Sequence, residues 1–313
     1  MQGFETIITS IITLAIAMLV GFVCIKTNYI TKEQNSGMSK IIVRVTLPIL
    51  VITSLTSLNF DRERLINSVQ AFIISLATVL ILYTVGVLTA KAGKMERGKA
   101  AMHRCMTCFG NVVFMAFPLI QALYGAEGLL YAAIYELAND MLLWTIGVAN
   151  MGAANKNRNS FLANLKNLLN PGTIAFAVAF VMMAFGLRFS GVLGTVLTGI
   201  GSTTTYMSMF FIGGTLALVD FKNIYKRVGL FILTVLKMIA VPVALIFALK
   251  LINMNVTAES VIILQAAMPA STVLVILASE YGGDMIYCAE GVFVTHIAGL
   301  VTLPLVYYFM SIL

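Results

Sequence analysis

Along this chain, apolar runs of helix length alternate with short breaks rich in charge, Gly or Asn, near residues 5–26, 38–57, 66–90, 103–124, 128–151, 170–188, 192–219, 228–252, 257–280 and 286–311. A helix needs about 20 mostly apolar residues to cross a bilayer. The runs are continuous over that length and lack the alternation that a membrane barrel strand requires. The pattern predicts an all-α polytopic membrane protein with ten transmembrane helices.

Composition agrees. Of 313 residues, 60% are hydrophobic and 11% charged, and the mean hydropathy is +0.97. Globular chains carry about 45–50% apolar and about 25% charged residues, so the surplus apolar surface needs a bilayer as solvent. Ten spans leave no room for a separate soluble domain. The net charge of +7 predicts no nucleic-acid partner here, because its distribution follows the membrane. The first, third, fifth and seventh connections hold Lys26, Lys32 and Lys40; Lys91, Lys94, Arg97, Lys99 and Arg104; Lys156, Arg158 and Lys166; and Lys222, Lys226 and Arg227. The even connections offer Arg62, Arg64, Arg188 and Lys250, the first two beside Asp61 and Glu63. The positive-inside rule makes the odd loops cytoplasmic and puts both termini outside. The N-terminal run has no basic start and no A-x-A cleavage site, and reads as a retained first span. Cys24, Cys105, Cys108 and Cys288 show no disulfide spacing.

Tyr124-Gly125-Ala126-Glu127 recurs as Tyr281-Gly282-Gly283-Asp284, 157 residues on, and the same offset relates Thr145 to Thr302. Lone prolines upstream of each copy, Pro118 and Pro269, are 151 apart. Together these predict a duplicated five-helix unit, residues 1–151 and 170–313, joined by a cytoplasmic connector at 152–169. Five is odd, so the second unit enters the membrane from the opposite side and the repeats are inverted.

Candidate chemistry gathers at the prolines. Each removes a hydrogen-bond donor and clashes with the carbonyl four residues back, here those of Phe114 and Gln265. In hydrocarbon such breaks occur where protein or a water-filled cavity meets the freed groups, and half-helices starting there aim N–H groups inward, which suits a carboxylate. Ser271 and Thr272 add hydroxyl donors. Asn111 and Gln265 either donate to a substrate or join helices. Glu136 and Asp140, with Asn139 between them, lie one turn apart on the fifth span; they either bind a coupling cation or proton, or pair with Lys237 on the eighth. Glu290 and His296 invite a proton-relay reading. His103, Cys105 and Cys108 lack the second pair a metal site needs, and Trp144 calls for no functional role. No nucleophile and base stand out, so no enzyme, cofactor or metal is expected.

Over nearly its whole length the chain resembles the auxin efflux carrier family, whose short prokaryotic members look like permeases for malate, malonate and related organic anions. Residues 110–118, Gly-Asn-Val-Val-Phe-Met-Ala-Phe-Pro, followed by Tyr124-Gly125, are similar to the family's Asn-x6-Pro segment. Met268-Pro269, Ala278-Ser279-Glu280-Tyr281 and Leu303-Pro304-Leu305-Val306-Tyr307-Tyr308 resemble its ninth and tenth spans. Asn170-Pro171-Gly172-Thr173 resembles the start of its sixth span, and Met207 to Gly213 its seventh. The resemblance implies a scaffold domain and a crossover domain, with spans four and nine broken and crossing at their prolines, and elevator-type alternating access. It makes Asn111 a substrate ligand. Where plant carriers have an aspartate and a lysine that assist release, this chain has Asn67 and Ala71, and the long hydrophilic loop of many plant carriers is missing.

The expectation is a secondary transporter of a small organic anion, a dicarboxylate such as malate or malonate or an auxin-like aromatic carboxylate, in the plasma membrane. Asn111, Phe114, Pro118, Asn170, Thr173, Gln265, Pro269, Ser271 and Thr272 are the expected substrate residues, and Glu136 and Asp140 the ion-coupling ones. Expected partners are the anion, a sodium ion or proton, the bilayer, and a second copy of the chain in a homodimer. The alternatives are a sodium-coupled carrier of amphipathic anions resembling the bile-acid symporters, a channel, and a non-transporting anion sensor.

Overall fold

The computed structural model describes residues 2–154, 169–219 and 224–312. Most of the expected connector 152–169, with Asn155, Lys156, Arg158 and Lys166, lies outside the described residues, as does Lys222. Among the described residues the fold is helical. We number the helices α1 Gln2–Lys26, α2 Lys32–Leu55, α3 Arg62–Ala92, α4 Arg97–Cys108, α5 Ala116–Gly152, α6 Pro171–Ala184, α7 Gly191–Ala217, α8 Val228–Leu249, α9 Val256–Ala266, α10 Val273–Tyr281 and α11 Met285–Ile312.

Local chemistry sets the helix starts. Thr31 and Gln34 form a reciprocal capping box ahead of α2. Asp61 accepts from the N–H of Arg64, Asn170 from that of Thr173 and Asn255 from that of Ala258. Each satisfies a donor that the first turn leaves unpaired. Inside α5, Gly125 adopts φ 59°, ψ −145°, a conformation that a side chain would resist. It divides α5 at the point where the sequence pattern separates the fourth and fifth runs. Single π-helical turns interrupt α2 at Ile42–Thr46, α5 at Leu143–Gly147 and α8 at Leu236–Ala240.

Every predicted apolar run carries helix, but the fourth and ninth are each interrupted, after Cys108 and after Ala266, and the fourth and fifth share the one helix α5. α2, α3, α5, α8, α11 and the Ile8–Lys26 part of α1 are long and apolar enough to cross a membrane; α6 and α9 are shorter apolar helices. Large apolar side chains face outward along these helices, among them Ile12, Ile16 and Leu19 of α1, Ile73 and Leu80 of α3, and Val178 and Val181 of α6. In a bilayer these are lipid contacts. The protein is a multi-pass membrane protein.

The helices pack in two groups. In one, α1 lies along α7, and α2 packs on both α6 and α7. Small residues permit the approach: a Cβ on Gly213 would stand 1.7 Å from the Met18 carbonyl oxygen and one on Gly21 2.0 Å from that of Phe210. The other group comprises α3, α4, α5 and α8 to α11. At its centre the chain leaves helical geometry twice, between Cys108 and Ala116 and between Ala266 and Val273. The two interruptions cross, with Gly110 and Ala270 forming an antiparallel bridge.

Candidate functional site

The crossing satisfies its backbone with few bonds. Asn111 N–H donates to the Pro269 carbonyl (2.7 Å) and Ser271 N–H to the Phe109 carbonyl (3.1 Å). Ala270 N–H donates to Oγ1 of Thr295 (3.0 Å) on α11. The Asn111 carbonyl accepts from the N–H groups of Met115 and Ala116. Lys237, fully buried in the π-turn of α8, donates through Nζ to the Thr107 carbonyl at 2.9 Å. That places a cation at the C-terminal end of α4, where carbonyls run out of partners. The expected alternative of Lys237 pairing with Glu136 or Asp140 is therefore not the arrangement found.

The prolines do not occupy matching positions, as the sequence pattern implied they would. Pro269 lies within the second interruption, but Pro118 is the third residue of α5. A first-turn proline needs no partner for its missing N–H, and so it does not break the helix. The crossing is at Gly110 and Ala270, eight residues before Pro118. Gly110 tolerates little there, since a Cβ would lie 3.2 Å from Met268 Cβ.

Beside the crossing is a cavity of about 200 Å³, lined on one side by Val43, Leu47 and Val51 of α2 and Asn170, Gly172, Thr173 and Phe176 of α6. The opposite wall is residues 109–114 with Phe117, the α5 face from Ala133 to Trp144, Ser271 and Val273. The cavity thus lies on the boundary between the two helix groups. Two of the π-turns contribute to it, through Val43 and through Leu143 and Trp144. Such turns shift the register of side chains along a helix face.

Asn111, Phe114, Asn170, Thr173, Ser271, Glu136 and Asp140 are brought together on this lining. Pro118, Gln265, Pro269 and Thr272 are not on it. Gln265 is buried behind the crossing, where Nε2 donates to the Ala132 carbonyl (3.3 Å) and Oε1 has no hydrogen-bond partner among the described residues. Thr272 is also buried, its hydroxyl without a hydrogen-bond partner among the described residues. Asn139 lines the cavity, donating to Glu136 Oε2 at 3.4 Å, with its own Oδ1 buried and without a hydrogen-bond partner among the described residues. Asp140 Oδ2 accepts from Asn170 Nδ2 at 2.6 Å, while Asn170 Oδ1 caps α6. This one amide ties the two helix groups together across the cavity.

Sequence reasoning passed over Val43, Leu47, Val51 and Phe176, which nothing marked among so many apolar residues, and gave no role to Trp144; all five line the apolar wall. It named His296 without its partner. The ring Nε2 lies 3.0 Å from Asn111 Nδ2, and Nδ1 lies 2.8 Å from the Val292 carbonyl oxygen. Glu290, its suggested companion, instead accepts from Arg227 Nε at 2.9 Å. His103, of the Cys-x-x-Cys neighbourhood, is bonded to Thr89 and Tyr287.

The lining therefore offers the amides of Asn111, Asn139 and Asn170, hydroxyls, first-turn backbone and two carboxylates, with no Lys or Arg on it among the described residues. It suits a small polar solute that is held by hydrogen bonds and carries, or travels with, positive charge.

Comparison with known proteins gives a family. The family model described as "Membrane transport protein" matches residues 6–307. An uncharacterized transporter of Methanothermobacter thermautotrophicus is 22% identical over 303 residues, covering 95% of this chain and 96% of that protein. One from Methanocaldococcus jannaschii is 21% identical, with 94% and 96% covered. A third, from Escherichia coli K12, is 22% identical, with 88% of each chain covered.

Proposed function

Because the chain belongs to the membrane transport protein family, that of the auxin efflux carriers, we propose that it is a secondary carrier of a small organic anion, a dicarboxylate of the malate or malonate kind. The observation that carries this reading is the cavity beside two crossing chain interruptions, at the boundary of two helix groups. The anion's carboxylates would take hydrogen bonds from Asn111, Ser271 and Thr173 and from first-turn N–H groups of α5 and α10. Glu136 and Asp140 would hold the coupling cation, which offsets the substrate's charge in a cavity that has no Lys or Arg among the described residues.

Transport would proceed by elevator-type alternating access, with the group holding the crossing sliding against α1, α2, α6 and α7. The Asp140–Asn170 bond, which spans the boundary, would have to break in each cycle. Counting α4 with the start of α5, and α9 with α10, as interrupted passes gives the proposed ten spans. The proposed repeats, 1–151 and 170–313, are supported by helix ends at Cys108 and Ala266 and helix starts at Ala116 and Val273, which lie 158 and 157 residues apart. By the same offset Pro118 and Pro269 are not counterparts. Odd connections facing the cytoplasm in the plasma membrane, and both termini outside, complete the proposal.

The acid pair also favours a sodium-coupled carrier like the bile-acid symporters. The volume argues against their bulky substrates: about 200 Å³ falls below the roughly 300 Å³ at which sites for drug-sized ligands begin. Purified protein in liposomes is expected to take up or exchange labelled dicarboxylate, and Asn111→Ala to lower the rate about tenfold or more, as loss of a buried hydrogen bond to a charged ligand implies. Absence of flux across a broad anion panel, in protein shown to be folded, refutes the proposal; binding without flux makes the protein a sensor, and currents beyond carrier turnover a channel.

A further inference from the structure

We propose that His296 is a positioning residue for the anion: it decides which end of the Asn111 amide faces the cavity, and so ties anion binding to the uptake of one proton at its own Nε2. The inference rests on the anion-carrier reading above; it adds to the cation proposed at Glu136 and Asp140 a proton taken up at His296, and gives the form in which the site accepts a carboxylate.

Nδ1 of His296 lies 2.8 Å from the Val292 oxygen, and a carbonyl oxygen only accepts. Nδ1 must therefore carry hydrogen. In the neutral ring Nε2 is then the lone-pair nitrogen, an acceptor. Its neighbour at 3.0 Å is the Asn111 amide, which has to present Nδ2 to it. That leaves Oδ1, an acceptor, for the cavity that Asn111 lines. An ionised carboxylate entering there would meet oxygen against oxygen, with Glu136 and Asp140 on the same lining. The neutral arrangement rejects a bare anion.

Protonation of His296 reverses the geometry. A proton from water binds Nε2, which becomes a donor, while Nδ1–H keeps its bond to Val292. Asn111 turns its side-chain amide over, Oδ1 accepts from Nε2–H, and Nδ2 is released to donate to the carboxylate. Each ring nitrogen remains bonded in both states, so the exchange leaves no buried ring nitrogen without a partner. Asn111 is well placed to act as this relay, because its backbone is fixed by bonds to Pro269, Met115 and Ala116 and only the side chain has to turn. α11 is held against the crossing as well: a Cβ on Gly299 would lie 3.0 Å from Pro269 Cγ.

The other charged or titratable side chains on helices packed against α11 have partners of their own or stand at helix ends. Lys237 of α8 donates to the Thr107 carbonyl. His103 of α4 is bonded to Tyr287, and Arg227 ahead of α8 is paired with Glu290. The thiols of Cys105 and Cys108 donate to the Gly147 and Val79 carbonyls, and Arg104 donates to Asn150. Lys26, Arg97, Lys99, Glu259 and Glu280 lie in the end turns of α1, α4, α9 and α10. On the cavity side the groups are Glu136 and Asp140, and these are the competing places for a proton.

The test measures binding of malonate, and then of a wider carboxylate panel, to the purified protein by calorimetry in buffers of differing ionisation enthalpy, between about pH 5 and pH 8. Wild type is expected to take up about one proton per anion, with affinity falling about tenfold per pH unit above the histidine's titration. His296→Gln keeps an amide able to hold Asn111 either way but does not titrate. It is expected to bind the anion with no proton uptake and a flat pH profile, whereas His296→Ala loses affinity at every pH. In liposomes, a trapped pH dye should report proton entry with the anion for wild type and none for His296→Gln. Anion binding by wild type without proton uptake overturns the inference while leaving the carrier reading intact. Proton uptake that survives in His296→Gln overturns it too, moving the proton to Glu136 or Asp140. If folded wild type binds no carboxylate in the panel, the carrier reading falls and this inference with it.

Discussion

Replacing Gly213 by alanine tests the packing of α1 on α7, the tightest backbone approach described above. The new Cβ would stand 1.7 Å from the Met18 carbonyl oxygen and 2.6 Å from its carbon. Real Cβ contacts do not fall under 3.0 Å, so the helices must part locally by about 1.3 Å or more. Carbonyl backbone cannot rotate aside as a side-chain tip does. A gap of about 0.5–1 Å already forfeits a quarter to a half of each dispersion contact, and overpacking costs about 1–3 kcal/mol. Gly213→Ala is expected to destabilise the protein by that amount. Gly21→Ala, 2.0 Å from the Phe210 carbonyl oxygen, should do likewise, and the double variant should lose less than the sum because the first separation makes room for the second. Gly199, on the same helix α7, has nothing within 4 Å of its would-be Cβ. There alanine is expected to be neutral or to stabilise by about 0.5–1 kcal/mol through helix propensity. Titration with a denaturing detergent, followed by circular dichroism, measures all four variants. Equal effects of Gly213→Ala and Gly199→Ala would refute the reasoning, since the two differ only in what the Cβ meets.

Two further outcomes follow from single contacts. Thr295→Val leaves the buried Ala270 N–H without its acceptor, expected to cost about 1–3 kcal/mol in the same unfolding assay, while Thr295→Ser is close to wild type; a loss in Thr295→Ser as large as in Thr295→Val would count against the bond, since serine keeps the hydroxyl. Arg227→Ala strands Glu290, whose side chain is 5% exposed, and is expected to cost about 3 kcal/mol, the low end for a buried pair because Arg227 is itself partly exposed. Adding Glu290→Gln should recover most of that loss, and a double variant as unstable as the single one counts against the pairing.

Much of this was legible because membrane helices announce themselves. The apolar runs placed helices from near 66, 170 and 257, and the capping side chains of Asp61, Asn170 and Asn255 set where those helices start. Glu136, Asp140 and Asn111 were conspicuous as polar residues in apolar runs, and all three line the cavity. The partner of the acid pair was not legible. Lys237 is the charge that sequence offers, yet helix rotation turns it to the Thr107 carbonyl and leaves Asn170 to meet Asp140. Pro118 misled for a related reason: a proline marks where a helix can begin as well as where one breaks, and its neighbours in sequence do not say which.

By itself, then, the sequence determined the solvent and the secondary structure. In hydrocarbon each backbone group must be satisfied within its own segment, and the helical bonds that do so join residues four apart. The tertiary structure alone decided the cavity wall of Val43, Leu47 and Phe176, the bridge of Gly110 to Ala270, and the contact of Asn111 with His296, 185 residues apart. Those depend on how each helix is rotated and how deeply it sits, which packing against its neighbours sets and no local pattern encodes.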